Sequence, residues 1–162
     1  MVLHDLLVVT NLLDKSISEL IMYEKHLLKT NSGELSLNHR LAIYLEQNLI
    51  DDYKSYNVDC EYFRDYTDFD RKNNRKGSGQ VPDIIIHKRG NNFPTNYLYL
   101  EAKRFENTKE DIEKINYFLS NSKYKYQFGV YVNYFSSINH ISYNLFHIEG
   151  VDIIATERYV CK

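Results

Sequence analysis

Apolar residues recur at three- and four-residue steps from the start of the chain, at Leu3, Leu6 and Leu7 and then at Ile17, Leu20, Ile21, Leu27 and Leu28. That spacing keeps one face of a helix apolar, so residues 2–29 read as helical, with Asp14 or Ser16 as the cap of a second segment. Asn31-Ser32-Gly33 interrupts the pattern. It resumes as the stripe Leu37, Leu41, Tyr44, Leu45 and Leu49, which predicts a helix over residues 35–50. The period then drops to two: Val58, Cys60 and Tyr62 alternate with Asn57, Asp59, Glu61 and Phe63, as in a half-buried strand over residues 56–64.

Residues 65–80 are polar and contain Gly and Ser, a long loop before the next apolar run. Ile84 to Ile86 and Tyr97 to Leu100 are β-branched, aromatic and apolar, and Gly90, Asn91, Asn92 and Pro94 between them supply the turn of a hairpin. Asn107-Thr108 can cap a helix through about Ser120, with Ile112, Ile115 and Leu119 inward and Asp111 and Glu113 in solvent. Residues 124–135 and 143–148 read as strands, the tail from Val151 carries the pattern of one more, and Glu149 and Asp152 read as turn carboxylates. The order of helix, strand, hairpin strands, helix and strand predicts an α/β fold: a central mixed β-sheet flanked by helices. Residues 1–32 form an added N-terminal helical segment, read as a packing layer rather than an oligomer contact.

Length and composition fit one domain over residues 1–162, with 43% hydrophobic and 26% charged residues. Two cysteines, Cys60 and Cys161, are too few for a disulfide framework and lack metal spacing. With no secretory pattern around Leu6 to Val9 and no run near the ~20 apolar residues of a membrane span, a cytoplasmic protein without membrane contact is expected. Fifteen tyrosines without a tryptophan, alongside abundant Asn, Ile and Lys, fit an AT-rich coding sequence more than a stacking surface. Net charge is -2, so any affinity for a polyanion has to come from local cations. Arg71, Lys72, Arg75 and Lys76 form the densest basic cluster, and Lys88 and Arg89 follow the first hairpin strand.

The hairpin carries the candidate chemistry. Alternation sorts its second strand into Leu98, Leu100 and Ala102 on one face and Tyr97, Tyr99, Glu101 and Lys103 on the other. Antiparallel pairing brings Asp83, at the start of the first strand, level with Glu101 at the end of the second. Two carboxylates and one ammonium then converge. Such an oxygen-ligand pair suits Mg²⁺, with Mn²⁺ as the alternative, because the ion binds through one or two carboxylates plus waters and phosphate. It polarises a phosphoryl oxygen and acidifies a bound water, while Lys103 can orient or deprotonate that water and stabilise phosphate charge. The combination suits phosphodiester hydrolysis.

At these residues the chain resembles the restriction-endonuclease-like, or PD-(D/E)xK, superfamily, whose signature is Pro-Asp, a variable gap, then an acidic residue, any residue and Lys. Here that is Pro82-Asp83 and Glu101-Ala102-Lys103. The resemblance spans about Gly33 to Gly129. It implies a metal-dependent nuclease with Asp83 and Glu101 as metal ligands, Lys103 as the catalytic lysine and nucleic acid as partner, DNA ahead of RNA. Similar proteins carry a glutamate leading into an upstream helix, a role that falls on Glu34; the alternative is that Glu34 complements the helix dipole. Lys114, on the helix after the signature, is the implied supporting polar residue. The runner-up is a catalytically silent protein of the same fold that binds nucleic acid or a protein partner, as in a phage or defence-system component. Homodimerisation is left open.

The basic loop is either a grip on the nucleic-acid backbone or solvated surface. On duplex DNA each phosphate contact adds about -0.9 to the slope of log affinity against log salt. Replacing Arg71, Lys72, Arg75 and Lys76 together by Ser should therefore flatten that slope by roughly two to four units. Salt-titrated binding by fluorescence anisotropy measures this, and an unchanged slope would move the search to Lys123 and Lys125.

Overall fold

In the computed structural model, which describes residues 3–30, 32–62, 81–89, 96–104, 108–137 and 140–161, the N-terminal stripe forms one long helix, α1 (Leu3–Tyr23), and a short α2 (Lys25–Lys29). No break occurs at the expected caps, because both side chains are used elsewhere. Asp14 accepts hydrogen bonds from Tyr143 Oη at 2.7 Å and Arg158 at 2.9 Å, and buried Ser16 accepts one from Asn48 at 3.2 Å. Helix α3 (Glu34–Asn48) buries Leu37, Leu41, Tyr44 and Leu45, and Leu49 beyond its end is buried as well, so the whole predicted stripe faces the core.

Five antiparallel and parallel pairings join β1 (Asn57–Cys60), β2 (Ile84–His87), β3 (Asn96–Lys103), β4 (Phe128–Ser137), β5 (His140–Glu149) and β6 (Asp152–Cys161) into one sheet in chain order. Among the described strands only β3 and β4 run parallel, and the crossover between them contains α4 (Thr108–Ser120). Helices cover both faces. Residues of α1, α2 and α3 pack with Ile84, Ile86, Leu98, Leu100, Ala102, Val130 and Val132, whereas Ile115, Phe118 and Leu119 of α4 pack with Ile85, Tyr99, Tyr131 and Phe146. The alternation of these two sets along β2, β3 and β4 follows from the period-two pleat. The tail is a full strand: β5 turns into β6 through Gly150 and Val151, with Glu149 paired to Asp152 and Gly150 at a φ of 65°.

Two strands differ from their predicted form. β1 stops at Cys60, where Glu61 takes a φ of 51° and its N–H bonds to the Asp83 carbonyl at 3.2 Å. In β3, Tyr97 leaves the face of Tyr99 and Glu101. Ile86 pairs with Leu98 but His87 with Asn96, so Tyr97 is the extra residue of a bulge. Its ring lies 4.6 Å from Tyr53 and 5.4 Å from Phe128, on the side of α1 and α3.

Many tyrosines are core residues. Tyr99 stacks on Phe118 with ring centroids 4.5 Å apart, and Tyr124 and Tyr126 complete that aromatic layer. Tyr134 and Tyr143 satisfy their buried hydroxyls on Asn38 and Asp14. Among the described residues no helix is long and apolar enough to cross a membrane.

The parallel pair depends on a close approach at Gly129. A Cβ there would collide with Ile115 Cγ2 and stand 3.2 Å from Leu119 Cδ1. Gly129→Ala should push α4 off the sheet and lower stability by about 1–3 kcal/mol. Urea unfolding checks this through a reduced midpoint at an unchanged slope.

Candidate carboxylate site

Ile84 pairs with Leu100, which sets Asp83 at the level of Glu101 and Ala102 where β2 begins and β3 ends. Asp83 Oδ2 accepts a hydrogen bond from the Ala102 N–H at 2.8 Å, so the carboxylate is pinned to the neighbouring strand. Lys103 Nζ stands 3.8 Å from the same oxygen and 3.5 Å from Glu34 Oε2. Glu34 is the first residue of α3, and its other oxygen accepts the Arg104 N–H at 2.9 Å. The helix start and the strand end are thus tied together, and Glu34, Asp83 and Lys103 meet.

Arg104 makes this possible. Its guanidinium donates to the carbonyls of Leu27, Leu28, Thr30 and Ser32, binding the end of α2 and the approach to α3 onto the end of β3. Sequence reasoning passed over Arg104. Nothing local marks it, since its partners lie more than seventy positions away along the chain.

Glu101 points to the α4 side and is only 2% exposed. Oε1 accepts the Tyr99 hydroxyl at 2.6 Å and Oε2 lies 3.5 Å from Lys114 Nζ. Lys114, predicted as a supporting residue, does touch Glu101. It also lies 2.7 Å from Asp111 Oδ1. Asp111 was expected in solvent, yet it is buried, because the first turn of α4 sits against the sheet beside Glu101 rather than outside it.

Burial pushes the Glu101 carboxyl up to about 7; the Asp83 charge adds to this, while Lys114 and the Tyr99 hydroxyl oppose it. Burial also raises Asp83, against the Ala102 N–H and Lys103. For Lys103 burial disfavours the charge, but Asp83, Asp111, Glu34 and Glu101 outweigh it and its pKa rises. Lys103 therefore holds its proton.

Four carboxylates, Glu34, Asp83, Glu101 and Asp111, face two ammonium groups, Lys103 and Lys114, which leaves room for one divalent cation in charge terms. The donors are all hard oxygens, and Asp111 Oδ2 is buried without a hydrogen-bond partner among the described residues. As placed, no three acidic, imidazole or thiol groups among the described residues form a ready cage. Mg²⁺ does not require one, since it keeps several waters and takes one or two carboxylates. The residues fit such an ion.

The basic residues are less uniform. Arg71, Lys72, Arg75 and Lys76 lie outside the described residues. Lys88 sits over the Tyr56 ring at 4.8 Å. Arg89 grips Asp59 with two nitrogens, and buried His87 Nε2 lies 2.8 Å from the same carboxylate. Burial would raise Asp59, but these hydrogen bonds hold it at about 2. Much of the Arg89 charge is therefore spent within the protein.

Fold and site together define an α/β protein with a six-stranded mixed sheet and, at the junction of β2, β3, α3 and α4, a cluster of carboxylates and lysines in which Glu101 and Asp111 are buried and the rest half-buried. The chain matches no family model, no curated protein and no solved structure.

An acid raised in the folded state carries stability that is complete below its ordinary pKa of 4.5 and is lost as pH climbs through about 7. Glu101→Gln should thus raise the thermal midpoint at pH 8 in chelator, and the gain should vanish at pH 5. Calorimetric scans at the two pH values read the difference; an equal shift at both would mean that Glu101 is not held under charge strain.

Proposed function

We propose that the protein is a metal-dependent nuclease of the restriction-endonuclease-like kind, hydrolysing phosphodiester bonds of nucleic acid, DNA ahead of RNA, with Mg²⁺ or Mn²⁺ as cofactor. The observation that carries this reading is the meeting of Asp83, pinned on Ala102 N–H at 2.8 Å, with Lys103 at 3.8 Å and Glu101 one strand over. Asp83 and Glu101, helped by Glu34, would hold the cation. When bound, that ion supplies Lewis acidity toward the phosphoryl oxygen and a more acidic water.

The chain's own residues do the rest. Lys103, with Nζ 3.8 Å from Asp83 Oδ2, would neutralise charge building on the phosphate or orient the attacking water. Tyr99, its pKa pushed well up by burial, donates its hydroxyl proton to Glu101 and fixes the orientation of that carboxylate. Arg104 sets the position of Glu34 through the carbonyls of the α2–α3 connection.

A binding protein of the same fold that does not cut is the second reading. It is favoured by the fact that Asp83, Glu101 and Glu34 each already have a partner within the chain, Ala102, Tyr99 and Arg104 respectively.

Incubation of circular single-stranded DNA, duplex DNA and RNA with Mg²⁺ separates the two. Wild type should cleave at least one of them, Asp83→Asn should abolish cleavage, and Lys103→Met should lower turnover by about a hundredfold or more while Mg²⁺ affinity stays. Full activity of either variant would sink the assignment. A wild type that binds nucleic acid without cutting it in Mg²⁺ or Mn²⁺ selects the binding reading.

A further inference from the structure

Asp111 has no role in the reaction proposed above. It is the fourth residue of α4, where a solvated carboxylate would do no more than complement the helix dipole. Instead it is 2% exposed, with Oδ1 2.7 Å from Lys114 Nζ and Oδ2 lacking a hydrogen-bond partner among the described residues. A carboxylate oxygen removed from water and left unmatched is unfavourable, so its retention asks for a group it can bind. The surroundings say which kind. Asp111 lies within electrostatic reach of Asp83, Glu101 and Lys103, and the single Lys114 nitrogen sits 2.7 Å from Asp111 and 3.5 Å from Glu101 Oε2. An ammonium lodged between two buried carboxylates occupies the place a metal cation would take. Lys is suited to give way, being a point charge on a flexible four-carbon stem.

We propose that Asp111 is a ligand of the divalent cation, binding it with Glu101 from the α4 side, and that Lys114 is a displaceable counter-ion that holds the two carboxylates together before the ion enters. This rests on the reading of Asp83 and Glu101 as cation-binding residues. The competing account is that Asp111 merely aims Lys114 at Glu101 through a helical i,i+3 pair. The accounts differ in sign. If Asp111 only aims Lys114, removing either residue changes cation affinity in the same direction. If Lys114 competes with the ion, the two changes are opposite.

Mn²⁺ alone, titrated calorimetrically into the full chain without nucleic acid, reads this directly. Asp111→Asn should weaken Mn²⁺ binding about tenfold or more, and Lys114→Gln should tighten it. Lys114→Arg, which keeps the charge but pairs with both carboxylates more rigidly, should weaken it and serves should Lys114→Gln fail to fold by circular dichroism. Wild-type affinity in a folded Asp111→Asn protein, or weakening by both Asp111→Asn and Lys114→Gln, overturns the proposal. If Asp83→Asn weakens Mn²⁺ binding while Asp111→Asn does not, this inference falls and the nuclease reading stands. A wild type that takes up no Mn²⁺ removes both.

Discussion

Keeping several carboxylates close together, two of them buried and two half-buried, is the constraint on which this structure turns. Asp83 and Glu101 disfavour each other's charge, and Glu101 is almost sealed from solvent. Each is held by a specific donor, the Ala102 N–H for one and the Tyr99 hydroxyl for the other, and Lys103 and Lys114 supply the nearby positive charge. Buried charges persist only where such partners are supplied, and removing one partner leaves an exposed deficit that the rest must absorb. The cluster is therefore short of positive charge, with four carboxylates facing two ammonium groups.

The scaffold is built to hold that arrangement from both faces of the sheet. On one face Arg104 gathers four backbone carbonyls and thereby fixes the start of α3, bringing Glu34 to Lys103. On the other, the aromatic layer of Tyr99, Phe118, Tyr124 and Tyr126 seats α4 against β3, so that Asp111 and Lys114 lie over Glu101. Gly129 lets the helix come close enough. The parallel step from β3 to β4 is what demands that helix, since parallel strands need a crossover. The acidic cluster and the topology are thus linked: the crossover that completes the sheet also closes the site.

The N-terminal helices belong to the same core. Val9, Leu13, Ile17 and Leu20 of α1 pack with the α3 stripe and the strands, and Asp14 reaches Tyr143 and Arg158 of the distant hairpin. Their effect is to back the sheet on the side of α3.

Period alone, 3.6 along residues 35–50 and two along 97–100, was enough to mark α3, the β2–β3 hairpin and the helix and strands beyond, because these patterns record which side of each element meets the core. The same local reasoning brought Asp83, Glu101 and Lys103 to one end of the hairpin, since antiparallel register depends only on the strands and their turn. What it could not reach were the features settled by residues far apart in sequence. The bulge at Tyr97 depends on Tyr53 and Phe128, the unbroken α1 on Tyr143 and Arg158, and the placing of Glu34 on Arg104. Asp111 reads as one more solvated acid on a helix. Its burial beside Glu101 was decided only when α4 packed on the sheet, because burial belongs to the contact between elements and not to the element itself.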